Sequence, residues 1–289
     1  MTRTFRNPIL PGFHPDPSIC RVGDDYYLVT SSFAYFPGLP VYHSRDLVHW
    51  RLLTYAMNRP SQLDLDGAGD PSGLWAPTLR HHNGLFYIAN GNMNRPPHCN
   101  YIITATDPAG PWSEPHFLEG ANGIDPSLFF DDDGRAWYTG NYYPGSGWPN
   151  KAVIWLQELD LREFRLIGPR YDLWTGNQVD SHDTEAPHLF KRDGWYYLLV
   201  AEGGTFEDHA VTIARSRTLT GPYENNQKNP ILTQRHLGRQ AAIGCSGHAD
   251  FVETPQGDTW LVCLANRFYG GHFSNMGRET FLAPVVWED

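Results

Sequence analysis

The sequence predicts an all-β fold, a five-bladed β-propeller with its functional site at the axial end of the central channel. Three observations carry this prediction. Aromatic-rich, strand-like stretches recur at residues 25–29, 84–88, 134–138, 194–198 and 257–261, each opening on an aspartate or a glycine. Their period averages about 58 residues, within reach of a four-stranded propeller blade and far from any helical repeat. No long amphipathic helix pattern interrupts them, while 28 glycines and 23 prolines supply the turns that many short strands need. Counting nine residues back from the start of each stretch reaches Asp16, Trp75, Asp125, Glu185 and His248. In a propeller the first strand of each blade lines the axis, so these positions should converge on one ring.

The first unit shows the blade in outline. Strands are expected at 18–22, 26–31, 39–44 and 50–55, separated by Gly23-Asp24, Phe36-Pro37-Gly38 and Arg45-Asp46. Units two and four share an outer turn in which Gly-Pro precedes an aromatic residue, Gly110-Pro111-Trp112 and Gly221-Pro222-Tyr223. Unit five offers strands near 247–251, 259–266 and 280–286 and then ends without an obvious fourth. Either residues 5–10 supply it and close the ring, or the outer edge stays open, which would be an aggregation liability.

Composition narrows the function. The chain of 289 residues suits one large all-β domain, and residues 1–289 are read as a single unit. Its net charge of −10 argues against nucleic acid, which requires a positive field. No apolar run approaches the roughly 18 residues of a membrane span. The first residues lack the apolar core of a signal peptide, so a cytoplasmic location is the default expectation. Cys20, Cys99, Cys245 and Cys263 have no metal-ligand spacing and read as reduced, half-buried core thiols. Oligomeric state is left open.

The ring positions carry the chemistry. Asp16 lies between prolines in Pro15-Asp16-Pro17-Ser18, Asp125 in Ile124-Asp125-Pro126-Ser127, and Glu185 in Glu185-Ala186-Pro187-His188. A single aspartate before proline is ordinarily a turn residue. Three carboxylates at one repeat phase are different, because a structural acid would recur unchanged in every blade. Gathered in a low-dielectric pocket, they cannot all ionise, and one retains its proton near neutrality. Glycoside hydrolysis needs that pairing: an acid for the leaving oxygen and a carboxylate to activate water or attack carbon. Phe33, Phe36, Trp75 and Trp148 are candidates to stack on a sugar ring, against the alternative of blade core, and Trp75 has the ring phase in its favour. His248 has the same support as an axial or sugar-binding group. His14, His81, His82, His98 and His209 read as surface or supporting residues, and Asp131-Asp132-Asp133 as a solvated turn. A sugar-binding propeller without catalysis would not need both Asp16 and Glu185. A protein-interaction propeller would show a near-identical residue in every blade, and the Asn-Asp-Pro-Asn-Gly type opening of retaining propeller fructosidases is missing.

Taken together, the segments 7–18, 75–78, 124–127 and 185–188 resemble those of glycoside hydrolase family 43, the five-bladed β-xylosidases and α-L-arabinofuranosidases. The resemblance runs from Asn7 to the C-terminus. It implies an inverting mechanism with Asp16 as general base, Asp125 as the group that tunes the acid, and Glu185 as general acid. It further implies Arg278 as a substrate ligand and a xylo- or arabino-oligosaccharide as substrate. No cofactor is required on this reading, although it leaves room for a calcium ion near the central channel beside His248. Relatives sharing the opening motif commonly continue into a β-sandwich domain, which is expected to be absent here. The insertion at 141–150, with Trp148, is expected to wall the funnel and favour exo action on chain ends.

Overall fold

The computed structural model describes residues 4–94, 99–145, 151–177, 182–271 and 273–288. Trp148, His98 and the second half of the 141–150 insertion lie outside them. The glycine-bounded aromatic stretches prove to be the second strands of five sheets. Blade 1 comprises β1 (Ser18–Val22), β2 (Asp25–Val29), β3 (Gly38–Ser44) and β4 (Arg51–Met57); blade 2 comprises β5 (Thr78–His82), β6 (Leu85–Asn92), β7 (Cys99–Ala105) and β8 (His116–Phe117). Blade 3 holds β9 (Ser127–Phe130), β10 (Ala136–Tyr142), β11 (Val153–Asp160) and β12 (Arg165–Trp174). Blade 4 holds β13 (Glu185–Arg192), β14 (Trp195–Glu202), β15 (Ala210–Ser216) and β16 (Glu224–Asn225), and blade 5 holds β17 (Ile243–Glu253), β18 (Thr259–Arg267) and β19 (Arg278–Val285). Every sheet is antiparallel in sequence order, and the first strands touch one another around the ring.

Turn chemistry sets the register. In blades 2 and 4 the first two strands are joined by Asn83-Gly84 and Asp193-Gly194, all four residues at positive φ, as a type I′ hairpin demands. Blade 1 uses Gly23-Asp24 with only the glycine at positive φ. This detail corrects the sequence count. Asp25 is the first residue after its turn, whereas Gly84 and Gly194 still belong to theirs. The equivalents of Asp16 are therefore Ala76 and Ala186, each followed by proline, and Trp75 and Glu185 stand one residue earlier. A bulge between Glu185 and His188 absorbs the offset.

Strand alternation sends neighbouring residues into different blade interfaces. Ile19 and Leu28 face blade 5, while Cys20 and Val29 face blade 2. The result is five apolar clusters, one per pair of adjacent blades. Each fully buried Leu, Ile or Val in them contributes roughly 1.5–3 kcal/mol. Trp112 and Tyr223, from the repeated outer turns, cap the interfaces between blades 1 and 2 and blades 3 and 4. The ring is closed by the N-terminal segment, one of the two outcomes expected. Leu10 bridges Thr280, and the Asn7 amide pairs with both backbone groups of Leu282, at 2.8 and 2.9 Å. The free edge of β19 is thereby covered.

Two readings of single residues change. Cys20, Cys245 and Cys263 are free and buried, packed as small apolar groups rather than half-buried. Asp131 is not part of a solvated turn: it is buried and receives Lys191 Nζ at 2.7 Å and Tyr196 Oη at 2.8 Å, tying blade 3 to blade 4. Among the described residues no helix is long and apolar enough to cross a membrane.

Candidate active site

The loops before β1 and β9, the first residue of β13 and the irregular middle of β17 present side chains at one end of the channel. Asp16, Asp125 and His248 adopt left-handed backbone, with φ of 55°, 52° and 50°, a conformation aspartate tolerates better than most residues. Close backbone approach fixes the Asp125 loop. A Cβ on Gly123 would lie 1.7 Å from the Asn141 carbonyl oxygen, and Gly123 has φ +102°, so only glycine fits. The buried Asn141 amide then links two loops. Its Oδ1 accepts the Ile124 N–H at 3.0 Å, and its Nδ2 donates to the Thr184 carbonyl at 3.1 Å. One side chain thus holds the residue before Asp125 against the residue before Glu185.

All three carboxyls are buried, and their surroundings separate them. Asp16 accepts Arg278 Nη1 on Oδ1 at 2.8 Å and Ser31 Oγ on Oδ2 at 2.5 Å, with His248 Nδ1 3.8 Å from Oδ1. Burial alone would push this carboxyl up, but Arg278, His248 and the Ser31 hydroxyl outweigh it and hold it below the usual range. Glu185 is pushed well above the usual range by burial, then by Asp125, Asp183 and Asp16, with Arg278 opposing. Asp125 is raised by burial and by Asp16, against Arg278 and the Ala186 N–H. Asp16 is therefore ionised at neutral pH, while burial and neighbouring carboxyls push Asp125 and Glu185 toward their protonated forms. The site offers a base and an acid at the same pH.

The structure brings most of the expected residues together. The Arg278 guanidinium stands 5.1 Å from the Phe33 ring centroid, stacking that buried ring beside Asp16. Phe33 also bridges Leu74, which puts it next to Trp75; Trp75 is half-buried and anchored by its Nε1 to the Pro71 carbonyl at 2.7 Å. Phe36 is half-exposed. His248 is buried, and burial lowers its basicity against the opposing pull of Asp16 and Asp250. A cleft of about 620 Å³ opens beside Arg278, between blades 4 and 5, lined by Phe13, Phe206, Gln234, Arg235 and Asn266 among others.

Other contributors escaped the sequence reading. Ser31 and Asp183 carry no motif of their own. His209, read as surface or supporting, is buried behind Asp16, its ring filling the space where a Cβ on Gly247 would lie 2.3 Å away. Beneath the acids, Ser18, Arg80, Ser127, His188 and Asp250 form a polar plug, one residue from each blade. Arg80 grips both oxygens of Asp250, at 2.7 and 3.1 Å, and donates to His188 Nδ1 at 2.9 Å. Ser18 Oγ reaches Asp250 at 2.6 Å, and Ser127 Oγ lies 3.0 Å from His188 Nδ1. The expected phase pointed to none of these, because they sit two or more residues further along each strand.

A five-bladed propeller that converges a held-ionised and a held-protonated carboxyl on its axis is the architecture of a glycoside hydrolase. The chain matches glycosyl hydrolases family 43 over residues 5–289 and belongs to that family. It is 50% identical over 288 residues to a xylosidase/arabinosidase of Butyrivibrio fibrisolvens, covering 98% of this chain and 55% of that protein. It is 42% identical to a non-reducing end alpha-L-arabinofuranosidase of Bacteroides ovatus, covering 99% of this chain and 52% of the relative. The crystal structure of a xylan beta-1,4-xylosidase from Bacillus halodurans superposes with a TM-score of 0.92 at 44% identity, over 99% of this chain and 55% of that one. The chain thus spans about half the length of these relatives.

Proposed function

We propose that this chain is the catalytic propeller of an inverting, exo-acting pentosidase that removes terminal xylose from β-1,4-linked xylo-oligosaccharides. Asp16 takes a proton from a water that attacks the anomeric carbon. Glu185 gives its proton to the departing glycosidic oxygen, so the bond breaks as the new one forms on the opposite face. Asp125 keeps the acid protonated, and Arg278, with Phe33 and Trp75, positions the sugar. The single observation behind this reading is the opposite treatment of two buried carboxyls in one cluster: Arg278 and Ser31 favour the charge on Asp16, while burial and Asp125 disfavour it on Glu185.

A second reading, α-L-arabinofuranosidase or both activities, is supported by the names of the relatives at 50% and 42% identity. Both pentoses present similar hydroxyls to the same residues. The family reading also leaves room for calcium near His248, but the surrounding groups are a poor fit. His248 Nδ1 faces Asp16, and both oxygens of Asp250 already bind Arg80, a fixed cation on the axis. Among the described residues no group of three or more His, Cys, Asp or Glu could hold a metal, and calcium prefers six to eight oxygens. A panel of p-nitrophenyl pentosides, assayed with the purified chain and with Glu185→Gln, tests the proposal. Release from the xyloside that falls in the variant supports it; a sugar that binds without turnover would identify a non-catalytic sugar-binding propeller.

A further inference from the structure

We propose that Asp183, clamped at the rim of the site by Tyr143 and His182, is a positioning residue that keeps the proton on Glu185. The inference rests on the reading of Glu185 as the general acid. Tyr143 Oη donates to Asp183 Oδ1 at 3.1 Å, and His182 Nδ1 lies 2.9 Å from Asp183 Oδ2. Tyr143 follows β10 of blade 3, whereas His182 and Asp183 lead into β13 of blade 4, so the clamp spans the junction that carries the acid.

The local backbone is built around this carboxylate. Asp183 itself is left-handed, with φ 51°. A Cβ on Gly204 would come within 3.3 Å of Asp183 Oδ2, so the carboxylate lies against bare backbone, and the Gly203 N–H holds the His182 carbonyl at 2.9 Å. Between Asp183 and Glu185, Thr184 is fully buried. Its carbonyl accepts Asn141 Nδ2, and its hydroxyl donates to the Thr175 carbonyl at 3.2 Å. Thr184 is thus pinned and Asp183 held on both oxygens, two residues before Glu185.

The charges facing Glu185 are Asp125, Asp183 and Asp16 on one side of the balance and Arg278 on the other. Asp125 is itself driven toward its neutral form by burial and by Asp16, which weakens it as a permanent negative neighbour. Asp183 is at the solvent edge, its side chain 29% exposed, and accepts the Tyr143 hydroxyl. The Tyr143 hydroxyl feels Glu185, Asp183 and Asp125 together, and burial with these charges keeps it protonated as a donor. Division of labour follows: Asp125 supplies a buried neighbour, and Asp183 supplies a second carboxyl that the Tyr143 and His182 contacts hold in place.

The test is a ¹³C NMR titration of the chain labelled at the glutamate carboxyl, with the Glu185 signal assigned by its loss in Glu185→Gln. Asp183→Asn preserves the shape and the hydrogen-bond acceptor while removing the charge. Glu185 is expected to titrate at lower pH in Asp183→Asn, and kcat/KM on xylobiose at pH 8, relative to pH 5, to fall by a further threefold or more (about half a pH unit or more of shift). Tyr143→Phe leaves the charge in place, so Glu185 should titrate no lower than in the parent chain. An unmoved Glu185 signal in folded Asp183→Asn overturns the proposal, as does a uniform loss of activity at all pH values. If Asp183→Asn fails to fold, Asp183→Ser is read by the same titration and decides in the same way. The NMR readout needs no turnover: a shifted signal in a chain that hydrolyses no pentoside would leave Asp183's role standing and overturn the glycosidase reading instead.

Discussion

Arg278 Nη1 donates to Asp16 Oδ1 at 2.8 Å, joining the start of the last strand to the loop before the first. The bond spans the seam where the propeller closes. The N-terminal segment that covers β19 also carries Asp16 into the site, with the His14 N–H bonded to the Arg278 carbonyl at 3.0 Å. The same segment thus closes the ring and places Asp16 in the site.

Arg278→Met should move both limbs of the pH–rate profile upward. Arg278 lowers Asp16 and opposes the upward shifts of Glu185 and Asp125, so its loss lets each hold its proton to higher pH. KM should also rise, through the lost sugar contact. Initial rates on p-nitrophenyl xyloside across pH 4–9 check this, and limbs that stay in place would detach Arg278 from the acids.

Asp16→Asn should reduce activity about 10²–10⁴-fold on every substrate, since water must be activated whatever departs. Glu185→Gln should cost far more on xylobiose than on p-nitrophenyl xyloside, whose leaving group needs little protonation. Equal losses on the two substrates would remove Glu185 from the role of acid.

Asp125→Asn should move the alkaline limb to lower pH, because Asp125 raises Glu185 by like-charge repulsion. A profile that shrinks with both limbs fixed would make Asp125 a substrate ligand.

Glu185→Gln should stabilise the fold, increasingly so as pH rises from about 4 to 8. The Glu185 carboxyl is raised in the folded chain, so the parent's stability is fully present below the ordinary carboxylate range and drains away as pH climbs toward the raised value. The amide cannot ionise and escapes that loss. Thermal melts at pH 4, 6 and 8 read it directly, and a gap in Tm that closes with rising pH would contradict the shift.

Much of this was legible because repeat sequences expose their own geometry. The aromatic stretches from 25–29 to 257–261 and the outer turns Gly110-Pro111-Trp112 and Gly221-Pro222-Tyr223 are local signals, so the blades could be read from short segments. The same locality produced the one-residue error at Trp75 and Glu185: a glycine that closes a turn and an aspartate that starts a strand look alike in a string. Asp131 misled for the opposite reason. Three adjacent aspartates suggest solvent, and only the approach of Lys191 and Tyr196 from blade 4 shows that one of them is an anchor. Arg80 and Asp250 lie 170 residues apart, and no local pattern announces an ion pair of that span. Asp183 stood in plain view within Asp183-Thr184-Glu185, yet its meaning depends on Tyr143 from another blade.

The central claim is that Asp16 activates water while Glu185 protonates the leaving oxygen on the opposite face of the sugar. Proton NMR of the first-formed product from a β-xyloside tests it most directly, before mutarotation scrambles the anomers. The account predicts α-xylose as the initial product; β-xylose would mean a retained configuration and would contradict Asp16 as the base.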